Sequence, residues 1–141
     1  MNPNIWGNHY WFTLHTITML YPENPNNMMK KKYYELFSNL PLFLPETNIA
    51  NYFLKLLDKY PIEPYLTSRI SLMKWLHFIH NKINEKCGKK ILGFNESLEL
   101  YYNHYKPKNI IDDNKKKMKK IYINIGTIIG MFFLIIYIYN K

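Results

Sequence analysis

From Ile121 to Tyr139 the chain runs 19 residues without a charge, Ile-Tyr-Ile-Asn-Ile-Gly-Thr-Ile-Ile-Gly-Met-Phe-Phe-Leu-Ile-Ile-Tyr-Ile-Tyr. At 1.5 Å per residue a helix of that length reaches about 29 Å, close to the ~30 Å hydrocarbon core of a bilayer. Only a helix satisfies its own backbone groups within one lipid-crossing segment, so this run is expected to be a transmembrane anchor. It lacks the polar face that an interfacial helix needs. Tyr122 near one end and Tyr137 and Tyr139 at the other suit the two interfaces, and Lys115, Lys116, Lys117, Lys119 and Lys120 stand just before it. By the positive-inside rule those lysines place the preceding domain in the cytoplasm. The expectation is a C-terminal anchor with Asn140 and Lys141 beyond it.

Before the anchor, apolar residues recur at helical spacing and prolines stop each run. Trp6, Tyr10, Leu14, Ile17 and Tyr21 make the first stripe, closed by Pro22 and Pro25. Met29, Tyr33, Leu36, Phe37 and Leu40 make the second, closed by Pro41. The stretch Leu-Pro-Leu-Phe-Leu-Pro after it cannot be regular helix, because each proline removes a donor and restricts the residue before it. Ile49, Tyr52, Phe53, Leu56, Leu57 and Tyr60 form the third stripe, ended by Pro61. Ser68 is placed to cap a fourth and longest helix through Leu72, Trp75, Leu76, Ile79 and Ile83, with Gly88 where a C′ residue belongs. Asn95 with Glu96 is expected to cap a short fifth helix through Leu98 and Tyr101 to about His104.

No two-residue alternation appears anywhere, so the fold class is all-α: a four-helix bundle with a short fifth helix plus a C-terminal transmembrane helix. The chain has 141 residues, 48% apolar and 17% aromatic, enough for one small core. The expected division is a helical domain over 1–105, a basic linker over 106–120 and the anchor over 121–139. The net charge of +9 overstates how basic the bundle is, since much of it sits in the Lys115–Lys120 run. Beside a span such a run acts as membrane-proximal charge, and no nucleic-acid partner is expected. The N-terminus, Met-Asn-Pro-Asn-Ile-Trp-Gly, has neither the basic nor the apolar region of a secretory signal.

Cys87 is the only cysteine. One thiol cannot close an intramolecular disulfide, so a dithiol cycle within one chain is excluded. His9, His15, His77, His80 and His104 have no thiol or carboxylate partners at metal-ligand spacing, and no metal is expected. His80 and Asn84 are four apart and share a helix face, while Trp11 and His15 show the same spacing on the first helix. A flat ligand with polar edges would satisfy both pairs.

Trp11-Phe-Thr-Leu-His15, Tyr21-Pro22, and Trp75 followed by His80-Asn81-Lys82-Ile83-Asn84 stand in the order and spacing of a known set. They resemble the Trp-x-x-x-His, Tyr-Pro and His-Asn-x-Val-Asn signatures of the Erv/ALR family of FAD-linked sulfhydryl oxidases. The resemblance covers roughly Asn4 to Lys90. It implies FAD held at one end of a helical bundle, lined by Trp11, His15, Tyr21, His80, Asn81, Ile83, Asn84 and Lys89. It also implies a dimer face on the first three helices, used by a homodimer or by a heterodimer with an active relative.

The family's redox pair, Leu-Pro-Cys-x-x-Cys between the second and third helices, is missing. Counting from the second helix puts the two positions at Leu42 and Pro45; counting back from the third puts them at Glu46 and Ile49. Neither register contains sulfur, so no catalytic residue is expected. Three readings follow: a redox-inactive homologue with a structural or interaction role, a flavin oxidase supplied with thiols by a partner chain, or an unrelated tail-anchored helical adaptor. Richness in Asn, Lys, Ile and Tyr suggests an AT-rich genome, and a viral source and a viral or virion membrane fit that composition.

Overall fold

The computed structural model describes residues 2–140; Met1 and Lys141 lie outside the described residues. In chain order the helices are α1 (Pro3–Met19), α2 (Asn27–Asn39), α3 (Thr47–Lys59), α4 (Arg69–Lys86), α5 (Phe94–Asn103) and α6 (Lys108–Tyr139), with 3-10 turns at Leu40–Phe43 and Glu63–Tyr65. No strand occurs among the described residues, as the all-α reading requires. The chain divides into two units, Met1–Ser97 and Leu98–Lys141.

Local chemistry sets most boundaries. Pro3 opens α1, where its missing N–H has no intrahelical partner to lose. Asn26 caps α2 by accepting from the Met29 N–H at 2.9 Å, and Pro41 forces the chain into the 3-10 turn that follows. Ser68 caps α4 through the Ser71 N–H at 3.3 Å. At the other end Gly88 takes φ +65°, its N–H reaches the Glu85 carbonyl at 3.2 Å, and the Lys89 N–H reaches that of Asn84 at 2.8 Å. Those two bonds make a Schellman close.

α4 is the central helix of the first unit. Leu72, Leu76 and Ile79 are wholly buried, and α1 packs along α4 more extensively than any other helix pair. The Trp75 ring meets Phe37 edge-on at 5.5 Å and donates Nε1–H to the Tyr60 carbonyl at 3.0 Å. Tyr21, also wholly buried, donates its hydroxyl to the Leu66 carbonyl at 2.9 Å, while Arg69 donates from Nε to the Tyr21 carbonyl and pairs through Nη1 with Glu23 at 3.1 Å. These contacts tie the loops between helices to the core.

Two boundaries differ from expectation. α5 begins at Phe94, so Asn95 lies inside it and is not its cap; Glu96 instead accepts from the Gly93 N–H at 3.4 Å and pairs with Lys90 at 2.9 Å. Only the reciprocal half of a capping box forms, because glycine at the cap position has no side chain to return the bond. The basic stretch before the span is helical from Lys108 and runs unbroken into the apolar residues. No proline interrupts it after Pro107. Within α6, Asp113–Tyr139 is long and apolar enough to cross a membrane, with a mean hydropathy of 2.2 over its most apolar window.

Candidate functional site

α1 and α4 bring three aromatic rings into one stack-and-bond group. The Trp11 indole lies on the His80 imidazole, centroids 3.9 Å apart and planes 12° from parallel. His15 Nε2 and His80 Nδ1 are 3.0 Å apart, so one nitrogen donates and the other accepts. Two imidazolium rings could not share that bond. Burial holds the His15 pKa down to about 4, with His77 adding to the effect. His80 is held down to about 3, first by burial and then by His15, His77 and Lys89. The pair is neutral at pH 7.

Beside Trp11 lies a cavity of about 20 Å³, walled by Trp6, Tyr10 and Trp11 of α1, Leu44 of the connector, Ile49 and Phe53 of α3, Ile83 and Asn84 of α4, and Cys87 with Lys89 just past its end. That volume holds about one water molecule. Among the described residues, Trp6 Nε1 is a buried donor with no acceptor in the protein. Such a group costs about 1–3 kcal/mol if nothing accepts from it, so it points toward a ligand acceptor in this wall. Apolar walls, one unsatisfied donor, one amide and one cation match the chemistry of a flat molecule with polar edges and an anionic tail, which enters only when these walls part.

The connector is placed by Glu46. Its carboxylate accepts from the Asn48 and Ile49 N–H groups, both at 3.1 Å, and so caps α3. Ile49 is therefore in the first turn of α3 and 8% exposed in the cavity wall, whereas Leu42 is 76% exposed on the 3-10 turn.

The family model described as Erv1 / Alr family matches residues 8–106. The chain belongs to the Erv1/Alr family. A probable FAD-linked sulfhydryl oxidase of Acanthamoeba polyphaga mimivirus is 35% identical over 109 residues, 77% of this chain and 76% of that protein. The FAD-linked sulfhydryl oxidase ERV1 of Arabidopsis thaliana is 32% identical over 85 residues, 60% of this chain but 44% of its own length, so the chain spans less than half of the plant relative. Among solved structures, the yeast Erv1 core superposes with a TM-score of 0.64 at 24% identity, covering 75% of this chain and 85% of that one. That likeness shows a shared fold.

Within this Erv1/Alr bundle the eight residues expected to line a cofactor site separate into three groups. Trp11, His15 and His80 form the ring group, and Trp11, Ile83, Asn84 and Lys89 stand in the cavity wall. Trp11 belongs to both. Tyr21 is in the core on Leu66, and Asn81 turns to the loop after α4. Asn81 Nδ2 donates to the Leu92 carbonyl at 2.8 Å, its Oδ1 accepts from the Leu92 N–H at 3.3 Å, and Nδ2 lies 3.1 Å from His77 Nε2.

Several contributors were missed by sequence reasoning, Trp6, Tyr10 and Cys87 of the cavity wall among them. His77 is another: its Nε2 faces an amide donor, so Nδ1 carries the proton toward Ser97 Oγ at 3.0 Å, and Ser97 passes its own proton to the Phe94 carbonyl at 2.8 Å. Its spacing was a usable signal, since it stands three and four residues before His80 and Asn81. Leu44 and Phe53 carried no signal beyond hydrophobicity.

Proposed function

We propose that this protein is a redox-silent Erv1/Alr member: a membrane-held bundle that keeps the family's cofactor site, has lost the thiol relay, and serves as a structural or interaction subunit. The carrying observation is the start of α3. Glu46 and Ile49 occupy the cap and first turn there, where backbone N–H groups would stabilise a thiolate, and neither has sulfur. Leu42 and Pro45, the other register, have none either. A relay needs a thiolate to attack a disulfide sulfur and a thiolate to leave. Carboxylate and hydrocarbon do neither, so the loss removes the step rather than slowing it.

FAD suits the residues that remain. Trp6 Nε1 and the Asn84 amide would meet polar ring edges, Trp11 and His80 would offer the faces they turn away from each other, His15 would hold His80 in orientation, and Lys89 would meet the diphosphate. The 20 Å³ cavity requires these walls to part when the ligand enters. Bound flavin would supply a two-electron acceptor. This chain's residues would position it and exclude water, with no proton or electron delivered from a thiol of α3. The mimivirus and plant relatives are both described as FAD-linked, which supports the same ligand here.

The rest of the reading places a helical domain over 1–105 in the cytoplasm, a basic connection over 106–120 and an anchor over 121–139 in a membrane, with the viral relatives favouring a viral one. An apolar groove of about 420 Å³ along α1 and α2, between Ile17, Leu36, Leu40 and Phe43, supports pairing with a second copy or with an active relative. One observation favours a different reading. Cys87 shares the cavity wall with Ile49, so a partner's thiols could work with it.

Oxygen uptake by the full-length, FAD-supplemented protein with dithiothreitol separates these readings. Uptake at the no-enzyme rate is expected. Uptake above that rate and abolished by Cys87→Ser would favour the second reading; uptake surviving Cys87→Ser would overturn both. Deleting 121–141 should release the protein from membranes, and a truncated protein that still pellets with them would contradict the anchor.

A further inference from the structure

The C-terminal unit carries an open groove of about 790 Å³ between α5 and α6. Its polar end holds Lys106, Lys115 and Lys119, with Asn103 and Asn114 and one carboxylate, Glu99. The ion pairs among the described residues join Lys31 and Lys32 to Glu35, Arg69 to Glu23, Lys82 to Glu85 and Lys90 to Glu96, and they leave these three lysines unengaged. Three cations face one anion, so the groove's charge complements an anionic group. Lys115 and Lys119 are four apart and share a face of α6, while Lys117 lies on the far side of the helix.

The other end of the groove is apolar and begins where the uncharged run begins. Tyr122 and Ile123 line it, while Met118 stands between Lys115 and Lys119 along α6, and Tyr122 lies three residues, about 4.5 Å of rise, beyond Lys119. A cationic half therefore meets an apolar half at the level where headgroups meet acyl chains. A soluble phosphate would use only the first half. A phospholipid with a net negative headgroup uses both, with its phosphate among the lysines and its first acyl carbons against Tyr122 and Ile123.

We propose that this groove is a binding site for one anionic phospholipid, held beside the span. The inference rests on reading α6 as a membrane anchor, and it adds a localised site to what would otherwise be diffuse surface charge. A diffuse lysine cluster attracts anionic lipid in proportion to its charge, wherever on the helix the lysines stand. A site depends on which lysines are removed.

The test uses the full-length protein reconstituted in phosphatidylcholine vesicles. Flotation with the vesicles is scored first, and spin-labelled phosphatidylserine is then compared with spin-labelled phosphatidylcholine for immobilisation at the protein. Wild type should float and should prefer phosphatidylserine by on the order of fivefold, what a single interfacial lysine contributes. Lys106→Gln with Lys115→Gln and Lys119→Gln should abolish that preference. Lys116→Gln with Lys117→Gln and Lys120→Gln removes the same charge outside the groove and should keep most of it. Equal loss in both triple variants, or no preference in wild type, would overturn the groove and leave the anchor standing. Failure to float would overturn both.

Discussion

The Trp11 indole lies flat against the His80 imidazole, and the Nδ1 edge of that same ring is bonded to His15 Nε2 at 3.0 Å. α1 and α4 are thus joined by a neutral ring pair rather than by aliphatic packing alone. An arrangement of this kind is sensitive to acid, because a second proton on the pair breaks its one hydrogen bond and charges a buried ring.

Stability should therefore fall as the medium is acidified. Both histidines titrate near 6.5 when unfolded and are held down to about 4 and about 3 in the fold. Between those values the unfolded chain binds protons that the folded chain does not, so unfolding becomes easier as pH drops through 6 toward 4. The slope is at most about 1.4 kcal/mol per pH unit for each histidine. Urea midpoints of the full-length protein in detergent, measured from pH 7.5 to 4.5, check this; a midpoint independent of pH across that range would contradict it.

Asn81→Asp should raise the His77 pKa. The amide now donates to His77 Nε2 and leaves it neutral, and burial pushes that imidazole below its ordinary value. A carboxylate at the same place accepts instead, and so favours the imidazolium. The Asp variant also loses the donor to the Leu92 carbonyl and should destabilise the fold by about 1–2 kcal/mol. Proton chemical shifts of the His77 ring against pH report the first effect, and an unchanged or lowered midpoint would show that the amide does not set the tautomer.

Gly88→Ala should cost about 1 kcal/mol. The residue sits at φ +65°, where a Cβ is strained even though no neighbouring atom lies within 4 Å of it. Asparagine tolerates that backbone better, so Gly88→Asn should cost less. Thermal unfolding of the three proteins orders them; equal midpoints would mean that the end of α4 rearranges freely.

The helices before the loop at 88–93 were legible because their signals are local: prolines at 22, 41 and 61 end three runs, and Ser68 and Gly88 bracket the fourth. The first turn of α5 was not, because its cap position is a glycine and the bonds that set it come from Glu96 and Ser97, inside the helix. For the site, spacing alone paired Trp11 with His15 and His80 with Asn84 on their own helices. It could not say that Asn81, one position round, would be spent on the Leu92 backbone, since that depends on where a loop eleven residues away returns. Nor could it see that Glu46 caps α3 with its side chain and so sets where that helix starts.

Flavin retention should depend on the ring group and the amide, and not on Asn81. His80→Ala and Asn84→Ala should each lower FAD occupancy by the ~1–3 kcal/mol of a lost polar contact in an apolar site, a factor of roughly 5 to 150 in the dissociation constant. Asn81→Ala should loosen the loop while leaving affinity within a few-fold. Fluorescence quenching on titration with FAD measures all three; unchanged affinity in the His80→Ala, Asn84→Ala double variant would place the cofactor elsewhere.

The most direct test of a retained cofactor site without a thiol relay is an anaerobic dithiol titration of the full-length protein loaded with FAD, followed by the visible flavin absorbance. The band should persist after free FAD is removed, and it should bleach no faster with dithiothreitol than free FAD does. A band lost with the free cofactor would contradict the retained site, and a band that bleaches faster than free FAD would show that electrons reach the flavin without a cysteine pair in this chain.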